Sequence, residues 1–288
     1  MADTGASPKD RPREIQPGVM ICADVACVAR TTARWFVEWA WQSIARDAAF
    51  HVALAGGNTP RELYGLLATQ EFRTQVDWGK VHLFWGDERS VPPDHPDSNY
   101  GMVRRELLLR IPIPPANVHR MEAEQHNLGR AAQDYEEILR RNLPLNALGF
   151  PRFHLILLGM GRDGHTASLF PGSPKLRDTL RWVSTPLVPQ LGTRRMTLTL
   201  PVLNAARQVL FLVTGAEKAQ ALHDVWNGHH DPPLPAQLVT APEGRRIFLV
   251  DEAAAALLPR QAVTVESHES RHGGKPRRSG KEEPGRSS

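Results

Sequence analysis

Cysteine is scarce in this sequence, with only Cys22 and Cys27 among 288 residues. Two thiols provide no disulfide framework, and small buried side chains are the expected role for both. Long apolar runs are also missing, since none approaches the roughly 20 residues of a membrane-spanning helix. The N-terminal residues lack the apolar core of a signal peptide. We therefore expect a cytoplasmic protein that makes no membrane contact.

Acidic residues are slightly outnumbered, with 31 Asp and Glu against 35 Lys and Arg. From residue 261 onward there are six basic and four acidic side chains in a polar segment without aromatic residues. Such a composition buries too little apolar surface to order itself. We predict disordered tails at 1–14 and 261–288, the second one basic, and one folded domain at 15–260. The mild basicity of the domain suits a small anion, and we expect no nucleic-acid partner.

Short apolar segments alternate with amphipathic segments through the folded domain. Apolar strands are predicted at 50–55, 80–85, 154–158, 209–213 and 247–250, and helices at about 23–45, 99–110, 128–141 and 215–226. This order is typical of an α/β fold with a mostly parallel, doubly wound sheet and helices on both faces. Residues 196–200 alternate between polar and apolar types, which predicts an edge or half-exposed strand.

Polar or glycine-rich segments follow four of the predicted strands. They read GGNTP, GDER, GMGRDGH and TGAEK. An open α/β sheet binds ligands at the carboxyl ends of its strands. We therefore expect these four loops to meet at one ligand site, which no single motif would establish.

The first loop, Gly56-Gly57-Asn58-Thr59-Pro60, predicts a phosphate-binding turn. Thr59 has the residue type of a helix N-cap and Glu62 that of its capping-box partner. The two glycines let the backbone approach a ligand, and the N–H groups that begin the helix favour an anion. A plain strand-to-helix turn explains the same residues, so this loop alone does not decide the function.

Lys218 is a second candidate phosphate contact. Thr214 and Glu217 form another predicted capping box, which places Lys218 in the first helical turn. A cation there opposes the helix dipole, and an anionic ligand would relieve the mismatch. A solvated surface lysine is the alternative.

Arginines add fixed positive charge near the same sheet edge. In Asp87-Glu88-Arg89, Arg89 is the better ligand contact and a carboxylate the better structural brace. Arg195, next to Arg194, precedes the alternating strand. Exposed surface arginines are the alternative interpretation.

Residues 159–164, GMGRDG, fit the dinucleotide-binding pattern G-x-G-x-x-G. That pattern normally opens the first βαβ unit, whereas here it lies past mid-chain and carries Asp163, which would repel a pyrophosphate. We interpret the segment as an exposed turn that presents Asp163 and His165. His165 is a candidate general acid or base, with Asp163 either orienting it or capping a following helix. A structural histidine is the alternative.

We expect no metal and no organic cofactor. His229-His230-Asp231 has metal-ligand residue types but lies in a loop rich in Gly and Pro, with no clear further ligand, so a solvated turn is preferred. The sequence contains no P-loop, no G-x-S-x-G elbow and no H-E-x-x-H motif.

Six segments over residues 50–255 together resemble the 6-phosphogluconolactonases, within the wider glucosamine-6-phosphate isomerase/deaminase superfamily. In order they are GGNTP, GDERSVPPDHPDSNYGM, LLGMGRDGHTASLFPG, RRMTLTLPVLNAA, VTGAEKA and LPAQLV. Deaminases continue the D-G-H turn toward Asn-Glu-Pro, whose glutamate helps in ring opening, whereas this chain continues with Ala-Ser-Leu-Phe-Pro as lactonases do. Asn58 stands where serine is common, and it can still form a hydrogen bond.

The resemblance implies a single domain of the glucosamine-6-phosphate isomerase-like type that hydrolyses 6-phospho-D-glucono-1,5-lactone in the oxidative pentose phosphate pathway. It implies that His165 is the general base and that Asp163 orients it. It also places the phosphate on residues 56–59, near Arg89, Arg195 and Lys218, and suggests a functional link to glucose-6-phosphate dehydrogenase. A glucosamine-6-phosphate isomerase or deaminase and a non-catalytic sugar-phosphate-binding protein are the alternatives.

Overall fold

The computed structural model describes residues 11–188, 192–228 and 230–259. Its strands are β1 (Arg13–Gln16), β2 (Val19–Cys22), β3 (Phe50–Leu54), β4 (Val81–Trp85), β5 (Asp87–Arg89), β6 (Val118–His119), β7 (Leu155–Leu158), β8 (Val183–Ser184), β9 (Leu187–Val188), β10 (Thr193–Leu198), β11 (Gln208–Val213) and β12 (Arg245–Asp251). Its α-helices are α1 (Val25–Asp47), α2 (Asn58–Leu67), α3 (Gln70–Arg73), α4 (Asn99–Val103), α5 (Leu128–Asn142), α6 (Leu200–Asn204), α7 (Ala219–Asn227) and α8 (Pro235–Leu238).

Eight strands form the main sheet in the order β1-β2-β12-β11-β7-β3-β4-β6. Neighbouring strands run parallel from β2 through to β6, and only β1 pairs antiparallel with its neighbour β2. The predicted α/β class with a mostly parallel sheet is therefore confirmed. Every side chain of β3 and β7 is buried, and because successive side chains point to opposite faces, both faces of the sheet are covered.

Three other strands, β5, β10 and β8, form a small antiparallel sheet, and β9 pairs with β10. The alternating segment at 196–200 predicts an edge or half-exposed strand. Instead β10 (Thr193–Leu198) lies between β5 and β8, and its residues from Met196 to Leu198 are buried. The segment is buried rather than half-exposed because the loops of the main sheet cover this second layer.

The helices follow their sequence signals at most positions. Asp24 caps α1, its carboxylate accepting from the N–H of Cys27 at 2.8 Å, and the helix ends where Ala48 adopts a left-handed conformation. The predicted helix near 99–110 is α4 followed by a π-helical turn at Arg104–Leu108, and the one near 215–226 starts with a 3₁₀ turn. Both cysteines are buried and unbridged, as predicted.

The ends of the described region bear on the predicted tails. Strand β1 begins at Arg13, two residues before the expected start of the domain at 15, because Arg13 and Glu14 pair with β2. The predicted basic tail at 261–288 lies outside the described residues, as do residues 1–10. None of the helices in the described ranges has the length and apolarity needed to cross a bilayer.

Strands β11, β7, β3 and β4 are consecutive in the main sheet. Because all four are parallel, the loops that follow them leave the same edge. These are the four segments that the sequence predicts to converge. The order of the strands therefore brings them together, although they are spread over more than 160 residues of sequence.

Candidate active site

A cleft of about 370 Å³ opens at this edge of the sheet. All four predicted loops contribute to its lining. The predicted site residues that border it are Gly56, Gly57, Asn58, Thr59, Arg89, His165 and Lys218. Asp163 and Arg195 are not among the lining residues, but Asp163 is hydrogen-bonded to His165 and Arg195 is the cross-strand partner of Arg89.

His165 and Asp163 form a hydrogen-bonded pair at the cleft. The Nδ1–H of His165 donates to Oδ1 of Asp163 at 2.6 Å, which turns the other ring nitrogen, Nε2, away from the carboxylate. Partial burial disfavours ionisation of Asp163, but the adjacent His165 and its hydrogen bonds outweigh this and lower the pKa of the carboxyl. Asp163 therefore orients His165. It does not cap a helix, since turns follow it through residue 173.

Two glycines of the segment 159–164, Gly161 and Gly164, shape the turn that carries His165 and Asp163. A side chain at Gly161 would overlap both His165 Nδ1 and Asp163 Oδ1. Gly164 has a φ of +74°, a left-handed conformation that favours glycine. No helix starts after the third glycine, so the helix N-terminus that would hold a pyrophosphate is absent from this described segment. The dinucleotide interpretation fails for that reason.

Phe170 packs against the catalytic candidate. Its ring centroid lies 4.4 Å from that of His165, tilted by 30°. The segment between them is held by Thr166, whose hydroxyl donates to the carbonyl of Gly159 at 2.8 Å and whose carbonyl accepts from the N–H of Leu169 at 2.9 Å. An apolar ring, rather than a second carboxylate, thus covers His165 on this side.

Arg89 and Arg195 are paired across the β5–β10 ladder. Nε of each is buried without a hydrogen-bond partner, and neither arginine forms an ion pair within 4.0 Å among the residues described. Burial and the neighbouring Arg89 lower the pKa of Arg195, and the carboxylates of Asp87, Asp97 and Glu88 oppose that change. Two adjacent guanidinium groups without an ion-pair partner within 4.0 Å create a local field that suits a phosphate. Arg194 is exposed, and as the preceding residue of the strand it points to the opposite face.

Lys218 is another cation that borders the cleft. It is half-buried at the end of the 3₁₀ turn Ala216–Lys218. Burial lowers the pKa of its ammonium group, Glu217 opposes that change, and Arg162 adds to it. An anion in the cleft would stabilise the charge that burial disfavours.

Both predicted capping boxes are wrong. The N-cap of α2 is Gly57, the N-cap of the 3₁₀ turn is Gly215, and neither has a side-chain capping bond. The two threonines instead contact each other, with Thr59 Oγ1 at 2.6 Å from Thr214 Oγ1. Both glycines have positive φ values, +105° and +95°, which a capping Ser or Thr rarely adopts. The helices therefore start one or two residues from the positions expected.

The prediction of a carboxylate brace beside Arg89 is confirmed by Glu88. This buried side chain accepts hydrogen bonds from the N–H groups of Arg89, Asn99 and Tyr100 at 2.7–2.8 Å. Burial raises its pKa, and these N–H groups act against that. Glu88 thus anchors the start of α4 and leaves Arg89 directed at the cleft.

Two side chains of the site have no signal in the sequence pattern. Asn99 and Ser168 are buried against Asp87 beneath the cleft. Ser168 belongs to the segment TASLFP that carries the resemblance, but periodicity gives no reason to pair it with Asp87. A residue-pair correlation across many sequences is the signal that would find such a contact.

Metal ligands do not cluster in the parts of the chain that the structure covers. No group of three or more His, Cys, Asp or Glu side chains there is arranged to hold an ion. His229, of the segment His229-His230-Asp231, lies outside the described residues, and His230 interacts with Asp224.

Comparison with known proteins identifies a family for this chain. The sequence model of the family described as glucosamine-6-phosphate isomerases/6-phosphogluconolactonase matches residues 23–248. A 6-phosphogluconolactonase from Synechocystis is 44% identical over 214 residues, which cover 74% of this chain and 86% of that protein. A probable chloroplastic 6-phosphogluconolactonase from Oryza sativa is 36% identical, and the match covers 80% of this chain and 73% of the relative.

Solved structures share the architecture. The 6-phosphogluconolactonase of Trypanosoma brucei superposes with a TM-score of 0.77 at 30% identity, over 85% of this chain and all of that chain. A monomeric glucosamine-6-phosphate deaminase has a TM-score of 0.68 at 20% identity, over 83% of this chain and 99% of that chain, and shows the shared fold alone. The chain therefore belongs to the glucosamine-6-phosphate isomerase/6-phosphogluconolactonase family.

Proposed function

We propose that this chain hydrolyses 6-phospho-D-glucono-1,5-lactone to 6-phospho-D-gluconate, with His165 as the general base. The observation that carries the proposal is the pair formed by His165 and Asp163 at a cleft that the cations Arg89 and Lys218 also line. A single oriented base and a phosphate site are the groups that this hydrolysis requires. The Synechocystis relative at 44% identity and the Trypanosoma brucei structure at 30% identity both bear the name of this activity.

The proton transfers follow from the orientation of the imidazole. With Nδ1–H donated to Asp163, Nε2 of His165 carries the free lone pair. It accepts a proton from water as the water oxygen bonds to the lactone carbonyl carbon. The tetrahedral intermediate then breaks its bond to the ring oxygen, and His165 returns the proton to that oxygen. Asp163 stabilises the imidazolium formed between these steps.

The phosphate group is held by the cations around the cleft. Arg89 and Arg195 have guanidinium nitrogens without protein partners, and Lys218 borders the same space. The backbone of residues 56–59, at the start of α2, supplies N–H groups and the positive end of the helix dipole. Binding the phosphate there fixes the distance between the reacting carbonyl and His165.

The packing of Phe170 on His165 supports lactone hydrolysis over isomerisation. Isomerisation or deamination of an amino sugar needs further proton transfers at the sugar carbons and the ring oxygen, for which a second carboxylate beside the base is suited. Here an aromatic ring occupies that side of His165. Hydrolysis requires only the base, a water molecule and the bound lactone.

The test is hydrolysis of freshly prepared lactone, measured above the spontaneous rate. The wild-type chain should accelerate hydrolysis, and His165→Ala should reduce kcat by at least about 100-fold. His126→Ala, at an exposed histidine, is the matched control and should keep wild-type activity. A His165→Ala enzyme as active as wild type would rule out the general base. Release of fructose 6-phosphate and ammonia from glucosamine 6-phosphate would instead identify a deaminase, and binding without turnover a sugar-phosphate sensor.

We further propose that the protein acts in the cytoplasm, on lactone produced by glucose-6-phosphate dehydrogenase. The Oryza relative bears a chloroplastic name, so cell fractionation is the relevant test of location. The described residues that line the cleft all lie between Leu54 and Lys218. We therefore expect deletion of 261–288 to leave hydrolysis unchanged, and loss of activity would show that the tail takes part.

A further inference from the structure

Asp87 borders the cleft, but its side chain is buried and its carboxylate accepts hydrogen bonds from two other side chains. Its Oδ2 accepts a hydrogen bond from the hydroxyl of Ser168 at 2.6 Å, and its Oδ1 accepts from the amide of Asn99 at 3.2 Å. The three residues, here the Asp87 cluster, are 8%, 1% and 2% exposed respectively. Burying a carboxylate is costly, and a core of apolar side chains would be no less stable. The cluster therefore calls for a role besides stability.

The cluster connects three of the loops around the cleft. Asp87 lies at the start of β5, immediately after the loop that follows β4, and Ser168 is three residues beyond His165. Asn99 begins α4, and its side-chain amide fills the space where a side chain at Gly56 would lie. One carboxylate thus fixes the catalytic loop against the phosphate loop and the arginine-bearing strand.

Ser168 is held through its main chain as well. Its N–H donates to Oγ1 of Thr197 at 3.3 Å, and Thr197 is the cross-strand partner of Asp87 in the β5–β10 ladder. The catalytic loop is therefore attached at two points to one pair of facing residues. Each of these two hydrogen bonds prevents the loop from rotating about the other.

The same ladder carries the two arginines. Arg89 and Arg195 are partners two residues further along, which places them on the same face as Asp87 and Thr197, about 7 Å away. The cross-strand pair Asp87 and Thr197 thus holds the loop that carries His165, and the pair Arg89 and Arg195 supplies the cations of the proposed phosphate site. The spacing of rungs in a β-ladder is fixed by backbone geometry.

We propose that Asp87 and Ser168 are positioning residues that set the distance between His165 and the arginine pair. A lactone whose phosphate is bound at the arginines then has its carbonyl at the correct distance from His165. Neither residue transfers a proton. Asp87 borders the cleft, but each of its oxygens already accepts a hydrogen bond from the protein, and Ser168 does not border the cleft. The inference rests on the proposed lactone hydrolysis.

Ser168→Ala tests the positioning role. Removing the hydroxyl frees the loop from Asp87 but leaves the phosphate contacts in place. We expect kcat to fall about 10-fold, while KM and the inhibition constant of 6-phosphogluconate change less than about 3-fold. Ser168→Cys keeps the size of the side chain with a weaker donor, so its kcat should lie between those of wild type and alanine. Ser43→Ala, at another buried serine far from the cleft in α1, is the matched control.

The outcomes separate this inference from the proposed function. If the wild-type chain does not accelerate lactone hydrolysis, the proposed function fails. If wild type is active and Ser168→Ala retains its kcat, only the positioning role is overturned. It is likewise overturned if Ser168→Ala loses product affinity as much as kcat, or if Ser43→Ala lowers kcat equally. A folded Ser168→Ala enzyme with reduced kcat and unchanged product affinity supports it.

Discussion

The hydroxyl groups of Thr59 and Thr214 lie 2.6 Å apart although 155 residues separate them in sequence. Their hydrogen bond joins the loop after β3 to the loop after β11, and both side chains border the cleft. Each threonine has the residue type of a helix cap, but each turns toward the other loop instead. The bond therefore fixes two parts of the proposed phosphate site relative to each other.

Thr214→Val should weaken phosphate binding without changing the chemical step. The substitution keeps the shape of the side chain and removes a hydrogen bond worth about 0.5–1.5 kcal/mol. We expect KM for the phosphorylated lactone to rise roughly 3- to 10-fold at nearly constant kcat. Steady-state kinetics on freshly prepared lactone measure both constants.

Thr59→Val and the double variant complete a thermodynamic cycle. Because the two hydroxyls satisfy each other, the effect of the double substitution should be smaller than the sum of the single effects. Additive effects on KM would show that each hydroxyl contacts the substrate separately, and the proposed coupling of the two loops would be wrong.

Gly161→Ala should inactivate the enzyme while leaving it folded. The added methyl group would overlap His165 Nδ1 and Asp163 Oδ1, so the pair must separate to accommodate it. Misplacing the base by about 1 Å costs roughly 100-fold in kcat. Gly65→Ala in α2 is the control, since its Cβ would meet no atom within 4 Å, and it should keep full activity. A Gly161→Ala enzyme with wild-type kcat would show that the hydrogen bond between His165 and Asp163 is dispensable.

The repeating part of the fold follows from the sequence because buried parallel strands leave a strong local pattern. Phe50–Leu54 and Gln208–Val213 are apolar at nearly every position, and their burial on both faces requires this. The positions of Gly56, His165 and Lys218 at one cleft follow in turn from the strand order. The sheet that β10 joins does not follow from the sequence, since alternation identifies a strand but not its pairing partners.

Side-chain pairings are where prediction from the sequence stops. The motif S/T-x-x-E indicates a cap for Thr59 and Thr214, yet a bond between loops competes with the cap and wins. The contact of Asp87 with Ser168 spans 81 residues and leaves no periodic trace. Such contacts depend on how the loops pack, which local propensity does not encode.

Arg195→Gln should impair phosphate recognition selectively. Arg195 is the cross-strand partner of Arg89 and forms no ion pair within 4.0 Å among the described residues, so we expect its charge to act on the substrate phosphate. We expect KM for the phosphorylated lactone to rise at least about 10-fold, while kcat/KM for unphosphorylated glucono-1,5-lactone stays constant. Arg194→Gln is the matched control, because the preceding side chain is exposed and points to the opposite face. Equal losses on both lactones would place Arg195 outside the phosphate site.

His51, His82 and His154 lie at the amino ends of β3, β4 and β7, on the edge of the sheet opposite the cleft, and His119, the last residue of β6, stacks on His82. His51 stacks on His154 with ring centroids 5.1 Å apart, and His82 Nδ1 lies 3.2 Å from His119 Nε2. Burial, together with the charges of the neighbouring histidines, lowers the pKa of His51 to about 3, and burial with His82 lowers that of His119 to about 4. Asp47 acts in the opposite direction on His51 but does not compensate. These side chains are neutral in the folded protein at physiological pH.

The free energy of unfolding should therefore fall as the pH drops below about 6.5, the usual pKa of histidine. Between that value and the lowered folded-state pKa, the unfolded chain binds more protons, so acid favours unfolding by up to about 1.4 kcal/mol per pH unit for each such histidine. In His51→Leu, unfolding should take up about one proton fewer between roughly pH 5.5 and 4, so the free energy of unfolding should depend less steeply on pH there. Denaturant unfolding at several pH values measures the slope, with His126→Leu, at an exposed histidine, as the control. A slope unchanged in His51→Leu would mean that His51 is protonated in the folded state.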